Sequence, residues 1–311
     1  EKCGFCLKAV LGHEQNMICN WRDLWVKFLK TMDKVITPSK AAQKEVLMTY
    51  PKAKILTIEH GVDLKRNTSN VDISKDGPYN VAFVGVIAKH KGYEIFEYLI
   101  KKAKMKNVKL HLFGVTYDRR EIPNSKYFIN HGPYKREDLP ALLNENKIHL
   151  VCLFSMWPET YAYTLTESIA SGVPVLGINL GAIGERVDKH GFGWLLELGS
   201  KPEEYVEKIN SIFSNKSNYI EVLSNINNYS IRTTREMAKK YSKIYSLIKL
   251  SGNYDKIAIR GKIKDSAKYF SLISSPSYPD YSWVFKTLKW RIIDKFKIPQ
   301  AIKDLYKKIR K

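Results

Sequence analysis

Short apolar runs that alternate with helical patterns constrain the fold of this chain more than any other feature. Eight runs rich in Val, Ile, Leu and Phe predict strands at 34–37, 55–59, 80–84, 109–113, 127–130, 148–154, 174–178 and 193–197. Helical patterns occur at 41–48, 93–104, 136–144, 163–171, 183–189, 203–213 and 231–250. Strands that are apolar throughout need helices on both faces, which favours parallel strands joined by right-handed crossovers. The expected fold class is α/β, a Rossmann-like parallel sheet covered on both faces.

The chain divides into three expected regions. A polar segment at 61–78, with several Asn, Asp and Ser residues, looks like a linker, so residues 1–78 are expected to hold part of one α/β domain and this linker. Residues 79–250 are predicted to form a second, compact α/β domain with a closing helix. The region 251–311 is predicted to be a basic amphipathic tail, because from residue 253 onward it has 15 basic and 5 acidic residues.

Charge and apolar patterning limit the partners and the compartment. The chain has 52 basic and 31 acidic residues, a formal charge of +21, which favours anionic partners. No zinc-finger, helix-turn-helix or aromatic-basic RNA pattern occurs, so a nucleic-acid partner is not expected. No run of about 18 apolar residues and no signal segment is visible, which predicts a cytoplasmic protein. Residues 283–311 either pack on the protein body or lie peripherally on an anionic membrane, at the inner face of the cell membrane.

The cysteines do not predict a metal site. Cys3 and Cys6 have a suggestive spacing, but a zinc site needs two further ligands, and nothing repeats that spacing. His13 and Cys19 are available in principle. Reduced thiols are therefore favoured over a metal site.

Residues 158–167 carry the groups that a sugar linked to a nucleoside diphosphate would require. Such a donor has phosphates to neutralise and two sets of hydroxyls to bind. A helix that starts near Ala162, Tyr163 and Thr164 would offer its free amides and positive dipole end to the phosphates. Glu159 and Glu167 are suited to the hydroxyls, because a carboxylate accepts two hydrogen bonds at once. If the segment were helical throughout, these two residues would be about 12 Å apart along its axis.

The alternative for this glutamate pair is a solvated surface. Two glutamates at this spacing carry almost no information by themselves. The surrounding helix, however, is mostly apolar or small and leads through Gly172, Val173 and Pro174 into a buried strand. Glutamates that flank a buried helix start favour a function.

The same segment resembles the signature of the retaining glycosyltransferases of family 4, which have the GT-B fold. The matching residues, in order, are Glu159, Tyr161, Ala162, Glu167, Ala170, Gly172, Pro174 and Val175. Three other segments resemble family motifs, namely 32–39, His60-Gly61-Val62-Asp63, and Val84-Gly85-Val86 followed by Lys91-Gly92. The resemblance covers about residues 20–250.

The resemblance implies an enzyme of the hexosyltransferase type. It would move a sugar from a nucleotide-diphosphate donor to a glycan or lipid-linked acceptor with retention, without metal or cofactor, in the synthesis of cell-envelope polysaccharide or glycolipid. Lys91 would neutralise the diphosphate and Glu159 would hold sugar hydroxyls, as the catalytic residues. The implied donor contacts are Gly85, Lys91, Ala162, Tyr163, Thr164 and Glu167, with Glu167 on the ribose.

Two departures and one gap qualify this resemblance. Val86 stands where the family has an arginine, and Ala162 stands where it has Gly or Ser, which adds a methyl group near the phosphates. Only the end of the acceptor-side domain is recognisable in residues 1–60, and the chain begins at Glu1, so further sequence is expected upstream. The open alternative is a truncated, non-catalytic module for donor binding or interaction.

Overall fold

The computed structural model describes residues 17–67, 71–73, 77–101, 107–117 and 122–247. Within these residues two parallel sheets are formed. The smaller has two strands, β1 (Val35–Thr37) and β2 (Ile55–Thr57). Cys3, Cys6 and the tail at 251–311, with its predicted membrane segment, lie outside the described residues.

The larger sheet has six strands in the order β5-β4-β3-β6-β7-β8, and each neighbouring pair is parallel. Its strands are β3 (Tyr79–Ile87), β4 (Val108–Thr116), β5 (Phe128–Gly132), β6 (Ile148–Leu153), β7 (Val175–Ile178) and β8 (Gly193–Leu196). The chain crosses from β5 at one edge back to β6 beside β3, so β4 and β6 lie on opposite sides of β3, as in doubly wound sheets. The predicted α/β fold class is confirmed.

Helices connect or follow these strands. Within the described residues they are α1 (Met17–Lys30), α2 (Lys40–Thr49), α3 (Tyr93–Lys101), α4 (Leu139–Glu145), α5 (Tyr163–Ala170), α6 (Gly181–His190), α7 (Pro202–Ser214), α8 (Lys216–Asn228) and α9 (Thr234–Leu247). A single 3-10 turn at Lys89–Lys91 precedes α3. Helices α1 and α8 were not predicted from the sequence pattern. Helix α4 begins three residues later than predicted, because Asp138 occupies the capping position and Pro140 lies in the first turn.

Two hydrophobic clusters cover the two faces of the larger sheet. Alternate residues of β3 divide between them, since Val81 and Phe83 belong to one cluster and Ala82 and Val84 to the other. The first cluster includes residues of α3 and α7, and the second includes residues of α4, α5 and α6. Helices therefore pack on both faces, as strands that are apolar throughout require.

The segment after His60 runs beside the closing helices. Residues 61–67 contain no helix or strand. Val62 N donates to Arg232 O at 2.8 Å, and the Arg66 guanidinium donates to the carbonyls of Tyr229 and Ile226. The segment is thus attached to the α8 to α9 connection. The division into domains near residue 78 stays a prediction.

Candidate functional site

The residues singled out from the sequence gather at the carboxyl edge of the larger sheet. A loop leaves β6 after Leu153 and enters α5 at Tyr163. Ala162, immediately before the helix, has a left-handed backbone with φ of 61°. Glu159 consequently lies outside the helix, and the assumption of one continuous helix between the two glutamates is wrong. Open α/β sheets bind ligands at this edge, which makes it the candidate site.

Glu159 and Lys91 are brought together. Glu159 Oε1 accepts hydrogen bonds from Lys91 Nζ, from Ser155 Oγ at 2.9 Å and from Trp157 Nε1 at 3.1 Å. Burial raises the pKa of this carboxyl, but these three donors outweigh burial and hold the pKa below its ordinary value. The Glu159 carboxylate is therefore ionised, and it shares its negative charge with the Lys91 ammonium.

The turn that carries Lys91 depends on Gly92. Gly92 has φ of 78° and closes the turn, with its amide donating to Lys89 O at 3.2 Å. A Cβ at Gly92 would lie 2.6 Å from Phe154 Cβ and Phe154 O. Only glycine fits this conformation and this approach. The turn is thereby held against the residue that follows β6, which brings Lys91 to Glu159.

Glu167 has a different environment, deep on α5. Its side chain is 5% exposed, and its Oε1 lies 2.7 Å from Arg136 Nε. Burial raises the pKa of Glu167 and the Arg136 charge lowers it only in part, so the pKa stays above its ordinary value. The sequence reasoning missed Arg136, because a lone arginine in the polar loop between β5 and α4 gives no signal.

The four backbone carbonyls from residue 159 to residue 162, just before α5, accept hydrogen bonds. Ala182 N donates to Glu159 O at 2.8 Å, and Ser39 Oγ donates to Thr160 O at 2.7 Å. Arg186 donates to Tyr161 O at 2.8 Å and to Ala162 O at 3.3 Å. Ala162 O also accepts from Leu165 N at 3.2 Å. Among the described residues, no group accepts from the amides of Ala162, Tyr163 or Thr164. These amides are therefore available to an anion.

Helix α6 supports this loop from behind. It begins at Gly181, where a Cβ would lie 2.6 Å from Glu159 N. Its Arg186 is 4% exposed, forms the two bonds to the loop carbonyls, and also donates to Thr166 Oγ1 at 2.9 Å. The sequence reasoning missed Arg186 too. A signal existed, because Ala182, Ile183 and Val187 define the buried face of α6 and residue 186 falls on it.

An aromatic cluster joins the loop to the segment that contains His60. The His60 ring stacks on Tyr163 at 5.4 Å and meets Tyr161 edge-on at 4.9 Å, and the Tyr161 hydroxyl donates to His60 O at 2.9 Å. The guanidinium groups of Arg186 and Arg136 lie over Tyr161 and Tyr163, each 4.3 Å from the ring centre. Burial and the Arg186 charge both lower the pKa of His60. Tyr161 and Tyr163, which flank Ala162, are thus each held between the His60 ring and an arginine guanidinium.

The amino end of α2 contacts the same loop. Ser39 caps this helix by accepting from Ala42 N at 3.0 Å, while its hydroxyl donates to Thr160 O. The Glu185 carboxylate of α6 accepts from Lys40 N at 3.1 Å and from Ala41 N. The segment 32–39, which was singled out for its resemblance, is therefore joined to the candidate site.

Gly85 lies beside the amino end of α5, at the carboxyl end of β3. Its φ is 98°, and a Cβ there would come within 3.6 Å of Thr164 Cγ2. The neighbouring strand also needs glycine, because a Cβ at Gly114 would lie 1.9 Å from Gly85 O. Val86, where the resembled family has arginine, is 56% exposed. It brings no charge to the site.

An open pocket of about 750 Å³ lies next to Arg136, between β5 and α4. Its lining includes Phe113, His131, Tyr134 and Lys135, and the rings of Phe113 and His131 stack at 4.1 Å. In the described part of the chain, no three His, Cys, Asp or Glu side chains could hold a metal ion together. No helix there is both long and apolar enough to cross a membrane.

Comparison with known proteins identifies a family. The family model described as Glycosyl transferases group 1 matches residues 65–233. Spore coat protein SA of Bacillus subtilis (strain 168) is 22% identical over 221 residues, which cover 60% of this chain and 57% of that protein. The chain therefore spans little more than half the length of this relative.

Two solved structures share the fold. Anabaena Alr3699/HepE, in complex with UDP-glucose, is 20% identical with a TM-score of 0.58, and the match covers 72% of this chain and 67% of that one. The sucrose-phosphate synthase of Thermosynechococcus elongatus is 16% identical with a TM-score of 0.57, over 72% of this chain and 60% of that one.

Proposed function

The chain belongs to the glycosyl transferases group 1 family, and from this premise we propose that it binds a nucleotide-diphosphate sugar at the amino end of α5 for transfer of the sugar. The observation that carries the proposal is the arrangement around this helix end. The amides of Ala162, Tyr163 and Thr164, which have no acceptor within the described residues, lie between two carboxylates, Glu159 before the helix and Glu167 within it. The arrangement offers an anion site flanked by two hydroxyl acceptors.

The diphosphate would lie against the amides of Ala162, Tyr163 and Thr164. Three sources of positive potential act there, namely the helix end, the Lys91 ammonium, and the buried Arg186 guanidinium. Arg186 forms no ion pair with a carboxylate among the described residues, so its charge is not cancelled locally. Gly85, beside Thr164, would let the β3 backbone approach the donor.

The sugar would be held by Glu159, whose ionised carboxylate can accept from vicinal hydroxyls. Lys91 already contacts this carboxylate, so one cation would link the sugar site to the phosphates. We propose that Lys91 and the α5 amides stabilise the departing nucleoside diphosphate, and that transfer proceeds with retention and without metal. The base would lie along the loop at 132–136, where the open pocket offers a stacked aromatic wall.

The acceptor class is also a proposal. We propose a hexosyltransferase that acts on a polysaccharide or glycolipid of the cell envelope, at the cytoplasmic face of the membrane. The positive charge of the chain supports an anionic surface as a partner, and residues 283–311 would supply the contact. The spore coat protein among the relatives is consistent with a surface-directed product.

Turnover of sugar nucleotides by the complete protein tests this proposal. UDP-, GDP-, dTDP- and ADP-sugars are first screened by thermal shift. We then expect Glu159→Gln and Glu167→Gln to abolish turnover while the protein stays folded, and Glu207→Gln, an exposed glutamate on α7, to leave it unchanged. Turnover should persist in a chelator, and analysis of the anomeric product tests retention.

Two results would count against the proposal. Wild-type turnover in both site variants would exclude the assigned site. Nucleotide binding without transfer in the complete protein would select the alternative, a non-catalytic donor-binding module.

A further inference from the structure

The Glu167 carboxylate forms an ion pair with Arg136, a residue that has no direct role in the proposed donor site. The carboxylate is almost fully buried, and within the described residues Arg136 is its ionic partner. Arg136 comes from the loop between β5 and α4 and is 43% exposed, so the cation enters from the open side of the site. Arg136 therefore brings a positive charge from a partly exposed side chain to a buried carboxylate.

The Tyr163 ring holds Arg136 in this position. Its guanidinium lies over Tyr163, 4.3 Å from the ring centre, and Tyr163 in turn stacks on His60. Such stacking on an aromatic face is favourable for a planar guanidinium and leaves its Nε free to donate. The side chain is thus oriented toward Glu167 by contacts that do not involve Glu167.

Protonation decides what Glu167 can bind. An ionised carboxylate accepts from both hydroxyls of a vicinal pair, whereas a protonated one loses part of this capacity and becomes a donor. Burial raises the pKa of a carboxyl group and so favours its protonated form, whereas a positive neighbour lowers the pKa and favours the ionised form. The groups that face Glu167 electrostatically are Arg136 and Tyr134, and burial together with the Glu167 charge raises the pKa of Tyr134, which keeps that phenol neutral. Arg136 is therefore the group that opposes protonation.

We propose that Arg136 is a positioning residue that keeps Glu167 ionised, so that this carboxylate can accept both hydroxyls of the donor's ribose. This inference rests on the proposed donor site for its ligand. The ionisation of Glu167, however, can be measured with no ligand present. The effect of Arg136 on Glu167 ionisation and the binding of ribose can therefore be refuted separately.

The first experiment titrates Glu167 in the free protein by carbon NMR of labelled glutamate side chains. We expect Arg136→Gln to raise the pKa of Glu167 further above its ordinary value, because burial then acts without an opposing charge. Arg136→Lys keeps the charge and should leave the pKa near that of the wild type. Lys135→Gln removes an exposed charge from the same loop and is the control for this titration, in which the pKa of Glu167 should stay near that of the wild type. An unchanged Glu167 titration in Arg136→Gln would overturn the inference.

The second experiment measures binding of UDP, GDP, ADP and CDP, each beside its 2′-deoxy counterpart, by calorimetry. At a pH where the titration shows about one tenth of Glu167 ionised in Arg136→Gln, we expect affinity for the ribonucleotide to be about tenfold lower than at full ionisation. The affinity should return toward the wild-type value as the pH rises. The preference for ribose over deoxyribose should fall and return with it. A pH-independent loss would show a structural role and overturn the inference. Absence of nucleotide binding in the wild type would instead overturn the proposed function and the ribose role, while the titration would still decide the ionisation.

Discussion

Replacing Arg186 with methionine removes the guanidinium that supports the loop before α5 and keeps most of the apolar stem. The group donates to Tyr161 O at 2.8 Å, to Thr166 Oγ1 at 2.9 Å and to Ala162 O at 3.3 Å. Ala162 O keeps a partner, because Leu165 N also donates to it. Tyr161 O and the Thr166 hydroxyl lose the donor that the structure gives them.

The expected cost follows from these two short bonds. A hydrogen bond to a charged group contributes about 1.5–3 kcal/mol, so two of them amount to roughly 3–6 kcal/mol. The contact of Arg186 with the Tyr161 ring adds to this. Methionine, however, removes the desolvation penalty of a buried charge, which offsets part of the loss. We expect the free energy of unfolding to fall by about 2–4 kcal/mol.

Urea unfolding followed by circular dichroism measures this change, and calorimetry measures nucleoside diphosphate binding by the folded variant. We expect weaker binding of the diphosphate as well, since a positive charge behind the amides is lost. Lys189→Met on the same helix is the matched control, because its ion pair with Glu59 is exposed and long, at 3.9 Å. A free energy of unfolding within about 0.5 kcal/mol of the wild type in Arg186→Met would refute the reasoning.

Three further outcomes are expected. Ala162→Gly should raise the free energy of unfolding by up to about 1 kcal/mol in urea, because φ of 61° strains alanine, and a destabilised variant would contradict this. Glu185→Ala on α6 should lower it by about 1 kcal/mol by uncapping the start of α2, whereas Asp188→Ala, an exposed site also on α6, should not. Burial lowers the pKa of His111 to about 3 and of His149 to about 4, so both are neutral in the folded state. The unfolded state takes up protons below about pH 6.5, so stability should fall as the pH drops from there toward about 4, and a flat profile in urea unfolding would disprove it.

The fold was largely predictable because its signal is repeated along the chain. Each of the eight predicted strands has a counterpart in the structure, since buried parallel strands need continuous apolar runs. Helix α8 was missed because its sequence is mostly polar and only Tyr219, Val222 and Ile226 are buried. A helix that buries a narrow stripe among Asn and Ser residues has a weak periodic signal.

The candidate site was predictable only in part. Lys91 and Glu159 were singled out separately, and the turn closed by Gly92 brings them together. The left-handed backbone of Ala162 could not be anticipated, because the sequence suggested only added bulk at that position. The role of Arg136 could not be predicted either, because it depends on a contact with Glu167, which lies 31 positions later in the chain.

The four hydrogen-bonded carbonyls before α5 affect the entropy of ligand binding. A loop that must become ordered around its ligand loses conformational freedom at that moment, and this loss weakens affinity. Here Ser39, Ala182 and Arg186 order the backbone when the chain folds. An anion would meet amides that are already aligned. We therefore expect the backbone of residues 159–162 to contribute little unfavourable entropy to association, and differences in affinity among ligands to arise from the surrounding side chains.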